Sequence, residues 1–358
     1  MNRFIQIHAL TVYAPSNLNR DDTGRPKTAK FGGAERLRIS SQALKRAIRT
    51  SEAFKTRVKG HQGERTQRLG ADIRAHLIAK GLDDAAATKG ARAIAEVFGK
   101  SKPEADANPT YIEQLAFISP IERDAALAFA DKLAAGEALP NKDDLTAAIL
   151  VKTDTATDIA MFGRMLADNP DFNREAAVQV AHAITTHKVE VEDDFYTAVD
   201  DLKKSSEDAG AGFIGELGFG SGVFYIYACI DRALLEKNLG GDKTLAATAI
   251  TALIEGLATS SPTGKQASFA SRSRASYLRL EKGNQQPRSL AAAFLKPVRA
   301  EDLLHESINR IEDPKCGLAK QMDDAYGRCY EQAKSMQFIA GEADNSGSLT
   351  SLLAFAAE

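Results

Sequence analysis

The sequence predicts an α+β fold, because segments with the period of strands alternate with segments with the period of helices. Residues 4–13 alternate apolar and polar side chains, and residues 223–230 form an apolar run, so both are predicted to be strands. Residues 41–50 and 243–259 repeat apolar side chains at helical spacing. When residues 60–150 and 205–222 are set aside, the order is strand, helix, strand, strand, helix, strand. That order is the split βαβ arrangement of ferredoxin-like and RNA-recognition folds.

The segment most informative about function is the predicted helix at residues 41–50. Residues 36–39 alternate as a short strand, and Ser40 or Ser41 then caps a helix by accepting a bond from a first-turn amide. One helix face carries a glutamine and three cations: Gln42, Lys45, Arg46 and Arg49. The opposite face carries Leu44, Ala47 and Ile48 and is expected to pack on a core. Hydroxyls, amides and a positive helix end are groups that bind phosphate, although a solvated basic face has the same pattern.

Charge and composition limit the class of protein. The 358 residues have a net charge of −2, yet residues 1–59 alone sum to +9, which points to an anionic partner for this region. Three cysteines without metal-ligand spacing are too few for a disulfide framework. The chain has no recognisable signal peptide and no apolar run of 18 residues, so we expect a cytoplasmic protein.

The remaining segments are interpreted in chain order. Residues 14–35 read as a long polar loop, and residues 60–150 as a separate helical lobe punctuated by prolines. Residues 157–166 and 177–191 are predicted strands, residues 197–202 a helical turn, and residues 205–222 a glycine-rich loop or hairpin. Residues 276–280 are a predicted strand, and the last sixty residues read as helices broken by Pro297 and Pro314, followed by a Gly/Ser/Asn tail.

Three other features of the sequence bear on possible chemistry. Gly210-Ala-Gly212-Phe-Ile-Gly215 matches G-x-G-x-x-G, but a strand does not precede it and a helix does not follow, so a loop is the better interpretation. His182 and His187 are five residues apart, which fits no facing pair, and they are read as ordinary polar positions. The aromatic residues Phe224, Tyr225 and Tyr227 could stack bases or pack in the core.

Several stretches together resemble one protein family, the guide-RNA-binding backbone subunit of the type I-E CRISPR Cascade complex (CasC family). The matching stretches occur in that family's order, mostly over residues 1–230: Leu18-Asn-Arg-Asp-Asp22, Phe31-Gly-Gly33, Arg38-Ile-Ser-Ser-Gln42, Leu44-Lys-Arg-Ala47, Asp158-Ile-Ala160, Gly163-Arg-Met165, Ala181-His-Ala-Ile-Thr-Thr-His187, Thr197-Ala-Val-Asp-Asp-Leu202 and Ser221-Gly-Val-Phe-Tyr225. Beyond Gly240 the likeness is confined to the pattern of helices and strands, and Arg272, Arg274 and Arg279 depart from it.

The resemblance implies a hand-like protein with a ferredoxin-like, RNA-recognition (RRM-like) palm, a helical fingers insertion and a β-hairpin thumb. Residues 1–59 would be the first part of the palm with the basic helix, 60–150 the fingers, and 151–190 further palm strands. Residues 191–222 would be the glycine-rich thumb, and 223–358 the second part of the palm with C-terminal helices.

The resemblance also implies a set of RNA-binding residues. By motif match, the RNA backbone would be bound by Arg20, Lys27, Arg38, Ser40, Gln42, Lys45, Arg46, Arg49 and Arg164. Met165 and the thumb residues Tyr196, Thr197 and Ile214 would wedge between bases where the RNA is kinked. No catalytic residue, metal or cofactor is expected.

The function implied is a non-enzymatic scaffold. Several copies would stack into a helical filament along one CRISPR guide RNA, beside other Cascade subunits and away from membranes, and would leave the bases free to pair with target DNA. Backbone contacts suit this role, because one subunit must serve every guide sequence. Two alternatives stay open: a metal-dependent ribonuclease using Asp21, Asp22, Asp200 or Asp201, and an RNA-recognition-type module that binds as a monomer.

Overall fold

A computed structural model describes residues 2–153, 155–198, 213–328, 330–341 and 345–358, with the backbone alone described at Phe213 and Ile214. The strands β1–β11 within these ranges are Phe4–Ser16, Thr28–Phe31, Ala34–Ile39, Glu64–Thr66, Ala116–Ile118, Val178–Val180, Ala183–Thr185, Glu192–Ala198, Phe213–Asp231, Ala275–Gly283 and Gln332–Gln337. The helices α1–α13 are Ser41–Thr50, Glu52–Arg57, Leu69–Ala79, Asp84–Ala95, Pro120–Ala134, Lys142–Ile149, Thr157–Phe162, Arg232–Asn238, Lys243–Thr259, Gln266–Phe269, Leu303–Glu312, Leu318–Tyr326 and Leu349–Ala357. The chain divides into two compact units.

The first unit comprises Met1–Phe54, Val180–Cys229 and Thr251–Glu358 and is built on a sheet. The strand order in that sheet is β11-β10-β1-β9-β7-β3-β2. The chain order β1, α1, β7, β9, α9, β10 reproduces the predicted strand and helix order, and β10-β1-β9-β7 are spatial neighbours. The mixed α+β class is therefore confirmed, and in the sheet β1 is antiparallel to β10 and β7 is antiparallel to β9.

The predicted polar loop at residues 14–35 is wrong in part, because it contains a strand. β2 pairs antiparallel with β3 from Thr28↔Leu37 to Phe31↔Ala34. Gly32 and Gly33 connect the two strands and have φ of +59° and +75°. A two-residue turn with both φ values positive matches the twist of a hairpin, and glycine adopts it without steric cost.

The described part of the glycine-rich segment belongs to a hairpin, which is one of the two forms predicted for it. Strand β9 runs from Phe213 to Asp231 and pairs antiparallel with β8 from Ala198↔Phe213 to Glu192↔Phe219, which makes a β-hairpin. A β-carbon at Gly222 would lie 2.6 Å from His187 Nε2, so that glycine lets the imidazole lie against the strand. Thr197 and Ala198 lie in β8, and the predicted helical turn is wrong there; its other residues, 199–202, are outside the described ranges.

The second unit comprises Lys55–Gln179 and Ile230–Ile250 and is mainly helical. Helices α3, α4 and α5 pack on one another around a buried apolar core. That core includes Leu69, Ile73, Leu77, Ala91, Ile94, Ala126, Ala130, Leu145 and Ile149. The predicted helical lobe at residues 60–150 lies inside this unit, and so do residues 151–179, which the sequence had placed with the palm strands.

One further prediction is wrong and another is incomplete. Residues 157–162 form helix α7, not a strand, and the buried Asp158 carboxylate at its first turn accepts a bond from Gly63 N at 2.7 Å. The last sixty residues contain an edge strand, β11, between the helices, and the tail ends in α13. Among the described residues, the structure contains no helix whose length and hydropathy would let it cross a bilayer.

Candidate nucleic-acid interface

The basic helix α1 has the orientation that its sequence predicts. Leu44, Ala47 and Ile48 are buried, whereas Gln42 and Arg46 are exposed. Lys45 and Arg49 are half-buried along the same face, and partial burial lowers the pKa of Lys45 below its usual value. A nearby phosphate would favour the charged ammonium and offset that desolvation.

The first turn of α1 is arranged to receive an anion. Ser40 is the N-cap, and its Oγ accepts a bond from Ala43 N at 3.3 Å. The first turn holds no acidic side chain to compensate the positive end of the helix dipole. Within the described residues, the amides of Ser41 and Gln42 have no hydrogen-bond partner. Unsatisfied amides at a helix start are the usual ligands of phosphate oxygens.

The loop before β2 is tied to the N-cap of α1 by the side chain of Asn19. Asn19 Oδ1 accepts a bond from Ser40 N at 2.8 Å, and Asn19 O accepts one from Lys27 N at 2.8 Å. The Asn17 side-chain amide donates to Gly24 O and Gly218 O, both at 2.9 Å. These bonds fix Arg20 and Lys27 beside the start of the basic helix.

Arg38 joins this surface through a histidine. Its Nη1 donates to His182 Nδ1 at 2.9 Å, and its Nε donates to Thr28 O at 3.3 Å. Desolvation and the charges of Arg38 and Lys27 lower the pKa of His182, which keeps the imidazole neutral and able to accept. Sequence reasoning read His182 as an ordinary polar position, whereas the structure gives it a positioning contact with Arg38.

The hairpin of β8 and β9 brings the predicted thumb residues together. Tyr196 lies opposite Gly215, and Thr197 lies opposite Ile214. Every side chain of β8 is exposed, including Phe195 at 67% and Tyr196 at 46%. The strand also carries Glu192, Asp193 and Asp194, so it presents apolar and acidic groups and no cation. Such a strand suits bases or protein rather than phosphates.

A basic cleft of about 590 Å³ connects the loop with the base of the hairpin. Its lining includes Arg20, Arg25, Tyr196 and Lys265, together with the acidic Glu216. Arg25 Nη1 also lies 2.8 Å from Asp193 Oδ1, which ties the loop to β8. Sequence reasoning missed Lys265, which has a φ of +51°, a conformation that is costly for a residue with a side chain.

Arg164 requires a correction. Its side chain is wholly buried in the second unit, and Nη1 lies 2.5 Å from Glu122 Oε2. Its guanidinium also donates to Phe117 O and Phe172 O, each at 3.2 Å. The donors predicted to bind RNA are therefore used inside the fold, and we exclude Arg164 from the candidate interface. The adjacent Met165 is 76% exposed.

Other candidate side chains have structural partners. The Asp21 carboxylate accepts bonds from Thr23 and Arg25 within its own turn, and the Thr23 bond contributes most to lowering its pKa. Tyr225 is buried, and its hydroxyl lies 2.9 Å from His8 Nδ1, so it belongs to the core. Asp200, Asp201, Gly210 and Gly212 lie outside the described residues. Elsewhere in the described ranges, no cluster of three or more His, Cys, Asp and Glu side chains could hold a metal ion.

The fold is similar to that of subunits of CRISPR RNA-guided surveillance complexes. A chain of a solved structure titled "CRISPR RNA-guided surveillance complex, pre-nicking" matches with 29% identity and a TM-score of 0.83, over 99% of this chain and 100% of that chain. A chain of a "CRISPR RNA-guided surveillance complex" matches with 24% identity and a TM-score of 0.73, over 98% and 99% of the two chains. At that identity, the second match supports the fold alone.

The chain belongs to the CT1975-like protein family, whose model matches residues 5–353. No protein with a curated function matches the sequence.

Proposed function

We propose that this protein is a non-enzymatic, guide-RNA-binding subunit of a type I-E Cascade complex. Copies of the chain would stack as a helical backbone along one CRISPR RNA, with other Cascade subunits, and leave the bases free to pair with target DNA. The first unit would serve as an RRM-like palm, the helical unit as fingers and the β8–β9 hairpin as thumb. The match to a surveillance-complex subunit over nearly the whole chain supports this class of function.

The observation that carries the proposal is the basic face of α1 next to its uncompensated N-terminus. Lys45 and Arg49 lie on the same face as Arg46, and the opposite face is fixed in the core by Leu44 and Ile48. Such groups bind the phosphate backbone whatever the base sequence. A subunit that binds many different guide RNAs requires this sequence-independent binding.

The salt dependence of RNA binding tests whether the basic face of α1 binds phosphates. We expect Lys45→Ala with Arg49→Ala to weaken binding of unrelated RNA sequences equally. The slope of log affinity against log salt should fall by about 0.7 for each lost phosphate contact. Arg328→Gln with Lys334→Gln is the matched control, because both residues are exposed cations of the same unit that lie outside α1. A loss for one sequence only, or an unchanged slope, contradicts the proposal.

The filament part of the proposal depends on the hairpin. Phe195 and Tyr196 are exposed aromatic residues on a strand without cations, so we propose that they contact bases and a neighbouring copy. Phe195→Ser with Tyr196→Ser should abolish stepwise loading of several copies on one long RNA, measured by native mass spectrometry. Single-copy affinity should change little.

The control for the hairpin is a pair of exposed aromatic residues elsewhere in the same unit. Tyr326→Ser with Phe338→Ser removes comparable exposed surface from α12 and the segment after β11. This variant should still load in steps. If the hairpin variant also loads in steps, the hairpin is not the thumb, and the copies must meet through another surface.

A further inference from the structure

Residues 260–274, which we call the 260–274 loop, connect α9 to β10 and are cross-linked by their own polar groups. Ser261 Oγ donates to Ser273 O at 3.1 Å and accepts from Ser273 N at 3.2 Å. The Gln266 side-chain amide donates to Pro262 O and Ser271 O, both at 3.0 Å. Because these bonds join the two ends of the loop and its middle, the segment is a compact, preorganised element.

The loop also contacts the C-terminal end of β1 and the residues that follow it. Ser271 Oγ donates to Ala14 O at 3.2 Å. A β-carbon at Gly264 would lie only 2.3 Å from Leu18 O, so the two backbones are in close contact there. Both of the described non-glycine residues with positive φ, Lys265 and Ala270, are in this loop. Strained backbone held in place in this way is characteristic of functional sites.

The loop forms one wall of a cleft of about 580 Å³, and the C-terminal end of α1 forms another. Arg272 and Arg274 line the cleft with exposed side chains, and neither has a hydrogen-bond or ion-pair partner for its guanidinium among the described residues. The lining also contains the hydroxyl groups of Ser260, Thr263 and Ser273. The other lining hydroxyls, of Thr50, Ser51, Thr259 and Ser261, already donate to backbone carbonyls. Glu52 is the one acidic residue among the described residues that line it. The cleft therefore offers donors and positive charge, the chemistry that binds phosphate.

We propose that this cleft is a second phosphate-binding subsite for RNA, in which Arg272 and Arg274 hold phosphodiester oxygens beyond the C-terminal end of α1. The proposal rests on the proposed function, because it extends the same RNA strand along the same helix. Ten residues of α1 span about 15 Å, which corresponds to roughly four phosphates at about 3.4 Å per nucleotide. At the C-terminal end the helix dipole is negative and Arg49 is the cation of the last turn, so phosphates beyond it need further cations from another element. Arg272 and Arg274 are those cations.

The test is RNA affinity of Arg272→Gln with Arg274→Gln, measured by fluorescence anisotropy. The probe is a labelled single-stranded RNA of about nine nucleotides, which is longer than α1 at about 3.4 Å per nucleotide. Loss of two contacts should reduce the salt slope by about 1.4. A fourfold rise in salt should therefore lower the RNA affinity of this variant by a factor about seven times smaller than the factor for the unmodified protein. Arg272→Lys with Arg274→Lys should keep the slope, because both charges remain.

The outcomes separate this inference from the proposed function. The Arg328→Gln, Lys334→Gln variant controls for the loss of two exposed cations and should keep the slope. If the salt slope is unchanged in Arg272→Gln with Arg274→Gln but falls in Lys45→Ala with Arg49→Ala, the inference is wrong and the proposed function stands. If neither variant changes the slope, both are wrong. If the variant impairs only multi-copy loading on long RNA, the cleft binds a neighbouring copy and not phosphate.

Discussion

Two regions predicted to bind RNA differ in whether their basic side chains are exposed or buried. Around α1, Lys45, Arg46 and Arg49 lie on the partly or fully exposed face of a helix whose other face is buried. In the segment Gly163-Arg-Met165 of the second unit, the Arg164 side chain is wholly buried against Glu122. A match to an RNA-binding motif therefore does not by itself assign an arginine to phosphate; its side chain must also be exposed. One guanidinium cannot donate the same hydrogen bonds to both a carboxylate and an RNA.

The strongest test of this contrast removes the buried arginine. Arg164→Ala leaves the Glu122 carboxylate buried without its cation, and breaking such a pair costs about 3–5 kcal/mol of stability. Urea unfolding should show this loss as a lower midpoint. A loss below about 1 kcal/mol would mean that the pair is not the buried ion pair that the structure shows.

A second variant separates stability from RNA binding. Arg164→Met with Glu122→Gln removes both charges, and glutamine can keep the capping box in which Glu122 Oε2 accepts a bond from Ser119 N at 3.1 Å. This variant should recover much of the stability and retain the full salt slope of RNA binding. If the variant is stable but its salt slope of RNA binding falls, Arg164 contacts phosphate and does not differ from the basic residues of α1 in this respect.

A smaller effect is expected at the start of α1. Ser40→Ala removes the N-cap acceptor of Ala43 N and should cost about 1 kcal/mol of stability, measured by urea unfolding. Because the hydroxyl carries no charge, the salt slope should not change. Ser41→Ala is the control, since Ser41 is the first helical residue rather than the cap. A larger loss for Ser41→Ala would show that the cap is misassigned.

The sequence was most informative where periodicity and packing agree. The two faces of α1, the strand at the N-terminus and the helix Lys243–Thr259 all follow from apolar spacing. The hairpin of β2 and β3 could also have been predicted, because Gly32-Gly33 between two short runs is a turn signal.

Sequence reasoning failed where distant contacts decide the structure. The residues of α7 favour a strand locally, yet Asp158 bonds to Gly63, 95 residues away. Strand β11 has mostly exposed side chains, so it lacks alternation and depends on pairing with β10. The role of Arg164 depends on Glu122, 42 residues away, and no local pattern indicates that partner.

The smallest expected effect concerns His182, which positions Arg38 at the edge of the basic region. In the free protein, desolvation and the nearby cations lower the pKa of His182 below 6.5, so acidification below that value costs stability. An RNA phosphate beside Arg38 and Lys27 would raise the pKa again, so RNA binding should take up a proton. Affinity should then increase as the pH falls from about 7.5 to about 5.5, because the RNA-bound form holds the proton more tightly than the free protein. His182→Gln should remove this increase, whereas the control Arg328→Gln, Lys334→Gln should keep it. If His182→Gln keeps the pH dependence of the unmodified protein, the phosphate lies elsewhere on the basic region.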